Sequence, residues 1–253
     1  MNRSIQTEDD VARLLDALYS EATERWAARG AAAWHGSAAW WDSFYTDRDR
    51  AVPFFREAPE ESLVAWHRAG LLPIGPGTRV LELGCGPGRN AIWFAQQGAT
   101  VDALDLSGTA VSWAEERASS AGVDVRFVCA DMFDWPAEET YDVVFDSGCF
   151  HHLPPHRRIG YRRLVESWLR DGGSFGLTCF AAAGDGFAAM GSEVDDVELY
   201  RGGALAGGLA YGADDLRALF EGFTEIELRR LAPQAAGSSL FGESFLWGGL
   251  FRS

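Results

Sequence analysis

The chain contains no lysine. All 22 of its basic residues are arginines, against 37 acidic residues, and the formal net charge is −15. The absence of lysine excludes Schiff-base chemistry, a lysine base and the lysine of a phosphate-binding P-loop. An acidic chain without a basic surface stripe is also unlike a nucleic-acid-binding protein, because nucleic-acid binding depends on basic side chains that neutralise phosphates. We therefore expect a small-molecule substrate and no nucleic-acid partner.

Cysteine and long apolar runs are also scarce. The four cysteines, at positions 85, 129, 149 and 179, show no C-x-x-C spacing, so neither a disulfide framework nor a metal site is expected. No apolar run approaches the roughly 20 residues that a membrane span needs, and the first ten residues are polar. We expect a cytoplasmic protein with no membrane partner. Monomer and homodimer both stay open.

The most informative segment is VLELGCGPGRN at residues 80–90. An apolar strand leads into three glycines at alternate positions and then into a helical pattern. Glycine adopts positive φ and has no Cβ, so a ligand can lie against the backbone here. Dinucleotide-binding folds use G-x-G-x-x-G; here the third glycine comes one residue early, and Arg89 stands where that pattern needs Gly or Ala. The spacing therefore disfavours a dehydrogenase.

Three later strands also end in an acid. Asp105 ends the second strand, about 20 residues after the glycine turn, where a carboxylate can accept both hydroxyls of a ribose. Asp131 follows the third strand and precedes Met132, and Asp146 ends the fourth. Because parallel strands end at one edge of a sheet, these acids are expected to lie near the glycine turn.

Strand and helix patterns alternate along the core, which predicts an α/β fold with a doubly wound, Rossmann-like sheet. Strands are predicted at 79–83, 100–105, 124–129, 141–146, 174–180, 223–231 and 243–252. Helices are predicted at 8–29, 41–45, 60–68, 88–97, 108–121, 155–170 and 214–220.

The series of motifs resembles the class I S-adenosylmethionine-dependent methyltransferases. Within that class, FDSGCFHHLPP at residues 145–155 and the aromatic segments WDSFY (41–45) and VPFF (52–55) look most like the thiopurine/tellurite-type small-molecule enzymes. The core resemblance covers residues 78–182. It implies S-adenosyl-L-methionine as cofactor, S-adenosyl-L-homocysteine as product, and a seven-stranded, mostly parallel sheet with an antiparallel last strand.

The resemblance also implies roles for particular residues. Asp131 would accept from the adenine amine, Met132 would cover the adenine ring, and Asp146 would lie near the methionine moiety. The family's Asp-Arg-Gly is Asp-Ser-Gly here, so a contact to the cofactor carboxylate would have to come from Arg89 or Arg50. The expected cofactor-binding residues are Tyr45, Glu82, Gly84, Cys85, Gly86, Arg89, Asn90, Asp105, Leu106, Asp131, Met132 and Asp146.

His151 and His152 are the candidate catalytic residues, because they follow the fourth strand at the crevice of an open sheet. Either could act as a base or orient the acceptor. Alternatively, His152 packs against the next helix and His151 caps it. The aromatic residues of the N-terminal segment, Trp40, Trp41, Tyr45, Phe54 and Phe55, could line a pocket for a flat apolar acceptor or an amine, or could serve packing alone.

One domain is expected over 1–253. It comprises an N-terminal helical and aromatic cap (1–70), the cofactor-binding core (78–182), an insertion (183–212) and closing elements (213–253). Segments 40–55 and 183–212 are predicted to close over the cofactor. Methyl transfer to a small molecule is the favoured function. The alternatives are a non-catalytic S-adenosylmethionine-binding or methyltransferase-like partner protein and, less favoured, an RNA or protein methyltransferase.

Overall fold

The computed structural model describes residue 5 and residues 7–27, 37–136, 140–184, 186–202 and 207–253. Within these residues seven strands form a single sheet in the order β3-β2-β1-β4-β5-β7-β6. The strands are β1 (Arg79–Leu83), β2 (Thr100–Asp105), β3 (Arg126–Cys129), β4 (Tyr141–Ser147), β5 (Leu169–Phe180), β6 (Thr224–Arg230) and β7 (Leu246–Arg252).

The first five strands pair in parallel, and β7 runs antiparallel to both β5 and β6. This confirms the predicted fold class and its antiparallel last strand. Strand order reverses at β1, which lies between β2 and β4. Ligands of open α/β sheets bind outside the carboxyl ends of the strands at such a switch point, so the glycine turn after β1 opens into the expected crevice.

Helices cover both faces of the sheet. They are α1 (Glu8–Ala27), α2 (Ala38–Thr46), α3 (Glu61–Arg68), α4 (Arg89–Gln96), α5 (Gly108–Ala121), α6 (Arg158–Trp168), α7 (Asp196–Gly202) and α8 (Ala213–Leu219). The predicted end of the first helix near Gly30 lies outside the described residues. None of the helices in the described ranges is long and apolar enough to cross a membrane.

One predicted helix, 155–170, differs from the structure. Its first residues form a 3₁₀ turn, Pro155–Arg157, and α6 ends at Trp168. Strand β5 then begins at Leu169, five residues before the predicted start, because Leu169 pairs with Tyr141 ahead of an irregularity in the β4–β5 register. Both of these residues are buried, so burial and pairing draw the segment into the sheet.

The alternation of side chains along β1 divides the core into two layers. Val80 packs with Phe94 of α4 on one face, while Leu81 and Leu83 pack with Tyr161 of α6 on the other. A third cluster joins the N-terminal segment to α5 through Tyr45, Phe55, Ala110 and Trp113. This cluster fixes α2 above the carboxyl ends of β1 and β2.

Candidate cofactor and active site

A cavity of about 350 Å³ opens at the carboxyl ends of β1 to β4. It is lined by Asp16, Ser20, Ser37, Trp41, Tyr45, Gly84, Leu104, Asp105, Leu106, Ala130, Asp131, Met132, Phe133, Gly148, Cys149, His152, Leu153, Pro154 and Arg157. The predicted site residues among them are Tyr45, Gly84, Asp105, Leu106, Asp131, Met132 and His152. The lining side chains are mostly apolar.

The turn after β1 needs glycine at two positions, of which Gly84 lines the cavity. Gly84 and Gly86 have φ values of +61° and +51°. A Cβ on Gly84 would lie 2.7 Å from the Cβ of Cys149, and one on Gly86 would lie 3.1 Å from the hydroxyl of Tyr45. The Cys85 amide donates to the carbonyl of Leu104 at 2.9 Å, which ties the turn to β2. The turn therefore presents bare backbone to whatever occupies the cavity.

Asp105 organises this turn from the end of β2. Its carboxylate accepts from the amides of Gly86 and Ser107, both at 2.8 Å. Burial raises its pKa to about 6, although both backbone bonds act in the opposite direction. Since each carboxylate oxygen can accept more than one hydrogen bond, Asp105 keeps acceptor capacity toward the cavity.

At the β3 end of the cavity an exposed acid lies beside apolar side chains. Asp131 is exposed, and its Oδ1 accepts from the Phe133 amide at 2.9 Å, which begins a 3₁₀ turn. Met132 is buried beneath it. Leu106 and Phe133 complete an apolar surface beside the Asp131 carboxylate, and the adenine-binding role of Asp131 and Met132 stays a prediction.

The wall opposite the sheet comes from α1, which sequence reasoning did not assign to the site. Asp16 is held by Arg157 and by His156, whose Nε2 lies 2.7 Å from its Oδ1. Partial burial raises the pKa of Asp16, but the bonds from His156 and Arg157 outweigh that effect and lower it. The local sequence could not indicate a role for Asp16 in the site, because the pattern of α1 predicts only an amphipathic helix.

The insertion does not occupy the predicted lid position. None of its described residues lines the cavity. Instead it packs behind the 3₁₀ turn Phe150–His152, where the Leu209 amide donates to the carbonyl of His151 at 2.7 Å. A Cβ on Gly208 would lie 2.7 Å from the His151 ring, so the contact is close. Trp41 and Tyr45 of segment 40–55 line the cavity, and the closure of this segment over the cofactor stays a prediction.

The two candidate catalytic histidines lie in different surroundings. His151 is buried, its ring stacks on Phe180 at 3.7 Å, and its Nδ1 has no hydrogen-bond partner among the described residues. Burial lowers the pKa of His151 well below its usual range. His152 instead lines the cavity and meets the Trp41 ring edge-on at 4.9 Å. Only His152 is therefore placed to touch a ligand in this cavity.

Asp146 is fully buried and is not among the lining residues. Its carboxylate accepts from the Cys149 amide at 2.8 Å, the Phe150 amide at 3.0 Å and the Tyr161 hydroxyl at 2.6 Å. Burial raises its pKa to about 6 despite these bonds. In this arrangement Asp146 shapes the turn that carries Cys149 and His152, and the predicted contact with the methionine moiety has no support from its position.

Other predicted cofactor residues, Glu82, Arg89 and Asn90, lie in a buried polar cluster around Glu60 and not on the cavity wall. Arg89 Nη2 donates to Ser147 Oγ at 2.7 Å and lies 3.5 Å from a Glu60 oxygen. Asn90 Oδ1 accepts from the Glu60 amide at 3.0 Å. Burial raises the pKa of Glu82 to about 8, and Glu82 Oε2 and Arg89 Nη1 have no hydrogen-bond partner in the described part of the chain.

Two further predicted residues support the turn from behind. Cys85 is buried, and its thiol contacts the carbonyl of Gly86. Gly86 donates its amide to Asp105. Cys149, which the sequence analysis did not assign to the site, is half-buried on the cavity wall. No group of three or more His, Cys, Asp or Glu side chains in the described ranges is arranged to hold a metal ion.

Comparisons with known proteins agree with this geometry. Residues 80–173 match a family model described as a methyltransferase domain. A stretch of 116 residues, 44% of the chain, is 35% identical to 27-O-demethylrifamycin SV methyltransferase of Amycolatopsis mediterranei (strain S699) over 42% of that protein. Thiopurine S-methyltransferase of Pseudomonas putida (strain GB-1) is 28% identical over 144 residues, covering 47% of this chain and 67% of the relative.

A solved structure described as "Conversion of a Disulfide Bond into a Thioacetal Group during Echinomycin Biosynthesis" also has this fold. It superposes with a TM-score of 0.65 at 28% identity and covers 85% of this chain and 91% of that one. The fold, the glycine turn and the acidic strand ends thus define a methyltransferase domain. The match over residues 80–173 confirms the resemblance to S-adenosylmethionine-dependent methyltransferases. The chain spans less than half the length of the first curated relatives it matches.

Proposed function

We propose that the protein binds S-adenosyl-L-methionine in the cavity at the ends of β1 to β4 and transfers its methyl group to a small molecule. One observation carries this proposal: a left-handed glycine turn and a buried acid, Asp105, face the same cavity. The relatives support it, since both curated proteins named above are described as methyltransferases of small molecules.

The residues present fit this cofactor. Asp105 offers carboxylate oxygens to the two ribose hydroxyls, and Gly84 leaves backbone exposed where the methionine portion would pass. Asp131, with the apolar side chains of Leu106, Met132 and Phe133, suits an adenine ring and its amine. Because these groups follow the strand order β3, β2, β1, the adenine would lie over β3 and the sulfur close to β4.

When bound, the cofactor supplies an electrophilic methyl carbon and a neutral thioether leaving group. The acceptor atom would donate an electron pair to that carbon, and the pair of the broken S–C bond would stay on sulfur. An acceptor that carries a proton releases it to water or to His152. The chain's own contribution is to orient the two partners and exclude water, and orientation of this kind supplies up to roughly 7–11 kcal/mol of a barrier.

Isothermal titration calorimetry with S-adenosylhomocysteine tests the binding step. We expect one site per chain and no comparable binding of NADH. Asp105→Ala should weaken binding by on the order of 1–3 kcal/mol, because two hydroxyls lose their acceptor. The matched control is Asp124→Ala, which removes an exposed carboxylate just before β3, at the opposite edge of the sheet.

Unchanged affinity in Asp105→Ala would refute the ribose assignment, and equal binding of NADH would refute the cofactor assignment. Turnover over a panel of small-molecule acceptors then separates an enzyme from a protein that only binds the cofactor. The net charge of −15 supports a small molecule over a nucleic acid as acceptor. The cytoplasmic location and the division into cap, core, insertion and closing elements stay predictions.

A further inference from the structure

A second cavity lies outside the cofactor site, between α4, α5 and residues 57–59, which lead into α3. Its volume is about 450 Å³, and it shares none of its described lining residues with the cofactor cavity. Pockets that bind small molecules usually have volumes of about 300–1,000 Å³. The second cavity is therefore large enough for a small ligand of its own.

Arg117 of α5 lines this cavity with a cation whose hydrogen-bonding capacity is only partly used. Its side chain is 14% exposed. Nη2 donates to the carbonyl of Phe55 at 2.7 Å, and Nη1 donates to the carbonyl of Pro87 at 3.4 Å. A guanidinium carries five N–H donors, so most of the donors of Arg117 stay available. Burial lowers the pKa of Arg117, because its charge is removed from water without full compensation.

In the described part of the chain, Arg117 has no carboxylate within hydrogen-bond distance. Its ion-pair partner is Glu57, whose Oε1 lies 3.8 Å from Nε and whose side chain is 82% exposed. Glu116, which also lines the cavity, is already bound by Arg48 through two hydrogen bonds of 2.5 and 3.0 Å. Charged side chains that are largely buried are normally paired. The second cavity therefore holds a guanidinium that lacks a close counter-charge.

Apolar side chains from α4 form the wall that faces α5. Ile92 and Trp93 both line the second cavity and are half-buried, so part of each stays accessible to a ligand. Trp113 of α5 contributes less free surface, because the guanidinium groups of Arg48 and Arg117 lie 5.1 and 4.4 Å from its ring centroid. An apolar molecule would therefore contact the α4 side of this cavity.

The charges around the cavity also indicate the kind of anion. A guanidinium binds a carboxylate through two parallel hydrogen bonds, because the two groups are planar and match in width. Glu57 and Glu116 lie on the same wall, so a dianion such as phosphate meets more repulsion than a single carboxylate does.

We propose that the second cavity binds an apolar monocarboxylate, with its carboxylate on Arg117 and its apolar body against Ile92 and Trp93. The bound carboxylate supplies the counter-charge that Arg117 lacks and displaces the exposed side chain of Glu57. This site lies apart from the cofactor cavity, so the proposal does not rest on the proposed function.

The experiment titrates three probes into the full chain at pH 7.5 and follows binding by calorimetry. They are 1-naphthoate, which is an apolar monocarboxylate; 1-naphthamide, which has the same body without the charge; and inorganic phosphate. We expect saturable binding of 1-naphthoate at one site per chain. Binding of 1-naphthamide should be at least about fivefold weaker, because it loses the charge-assisted hydrogen bonds, and phosphate should bind more weakly still.

Two variants change the charges at the site in opposite directions. Arg117→Gln removes the guanidinium and should weaken 1-naphthoate binding by about fivefold or more. Glu57→Gln removes the competing carboxylate, so it should bind 1-naphthoate at least as tightly as the wild type. Because Arg117 also supports the Phe55 carbonyl, thermal unfolding checks that each variant is folded.

Ser120→Trp leaves Arg117 in place and tests the location of the site. Ser120 is exposed and lines the second cavity, so an indole there should fold onto the apolar wall and lower 1-naphthoate affinity about tenfold or more. Ser119→Trp is the matched control, because Ser119 is exposed on the same helix but does not line the cavity. The proposal is overturned if the wild type does not bind 1-naphthoate, binds 1-naphthamide or phosphate equally well, or if Ser120→Trp leaves the affinity unchanged. Weaker binding in Glu57→Gln would also overturn it.

Discussion

Replacing Gly84 with alanine tests how far the glycine turn determines the site. Gly84 has φ of +61°, and an added Cβ would lie 2.7 Å from Cys149 Cβ and 3.1 Å from its Sγ. The left-handed conformation costs a residue with a Cβ about 1–2 kcal/mol, and the overlap costs about 1–3 kcal/mol more, as overpacking does. The free energy of unfolding should therefore fall by roughly 2–5 kcal/mol, and the overlap should also displace Cys149 at the cavity wall.

Gly122→Ala separates the two costs. Gly122 ends α5 at φ of +68°, with no atom within 4 Å of an added Cβ, so only the conformational cost of about 1–2 kcal/mol applies. In denaturant unfolding, Gly84→Ala should therefore lose more stability than Gly122→Ala. S-adenosylhomocysteine affinity should fall about tenfold or more in Gly84→Ala alone, since each 1.4 kcal/mol is a factor of ten. The double variant Gly84→Ala with Cys149→Gly should recover part of both losses. Equal destabilisation of the two single variants, with unchanged affinity, would refute this reasoning.

Three other outcomes follow from the buried acids. Tyr161→Phe removes a hydrogen bond to the Asp146 carboxylate and should lower the free energy of unfolding by about 1.5–3 kcal/mol; a loss under 0.5 kcal/mol in urea unfolding would contradict the role given to this bond. The pKa of Asp105 is raised to about 6, so S-adenosylhomocysteine affinity should increase as pH rises from 5 to 7, and Asp105→Asn should abolish that dependence in calorimetry. The free energy of unfolding of the ligand-free protein should change with pH in the opposite direction to the affinity. Because the pKa of Asp105 is raised in the folded state, its contribution to stability is fully present below about pH 4 and is lost as pH rises through 6. Between pH 4 and pH 8, the free energy of unfolding of Asp105→Asn should therefore rise relative to that of the wild type by on the order of 2 kcal/mol. The same difference between variant and wild type at both pH values would refute the raised pKa.

Much of the fold was predictable because its signals are local. Positive φ at Gly84 and Gly86 follows from the glycine spacing, and strands that alternate with helices can form only a parallel sheet covered on both faces. The acids Asp105 and Asp131 end their strands at one edge for the same reason. Their position on the cavity wall could thus be expected without knowledge of any long-range contact.

Side-chain direction was not predictable in the same way, as Asp146 and the histidine pair show. Asp146 ends a strand like the other acids. Its carboxylate, however, accepts hydrogen bonds from the Tyr161 hydroxyl, fifteen positions later on α6, and from the amides of the turn that follows β4. His151 and His152 are neighbours in sequence, yet a 3₁₀ turn directs one toward Phe180 and the other toward Trp41. The pairing partners come from β5 and α2, so the two environments depend on tertiary packing.

By itself the sequence determined the glycine turn, the parallel sheet and the acids that face the crevice, because each depends on backbone conformation or on short-range periodicity. Tertiary structure alone decided that α1 closes the cavity through Asp16, that the insertion packs behind His151, and that Arg89 is balanced by Glu60 instead of lining the cavity. Each of these contacts joins residues at least 25 positions apart in the sequence. Their formation depends on burial and charge pairing once the sheet exists, and no local pattern encodes them.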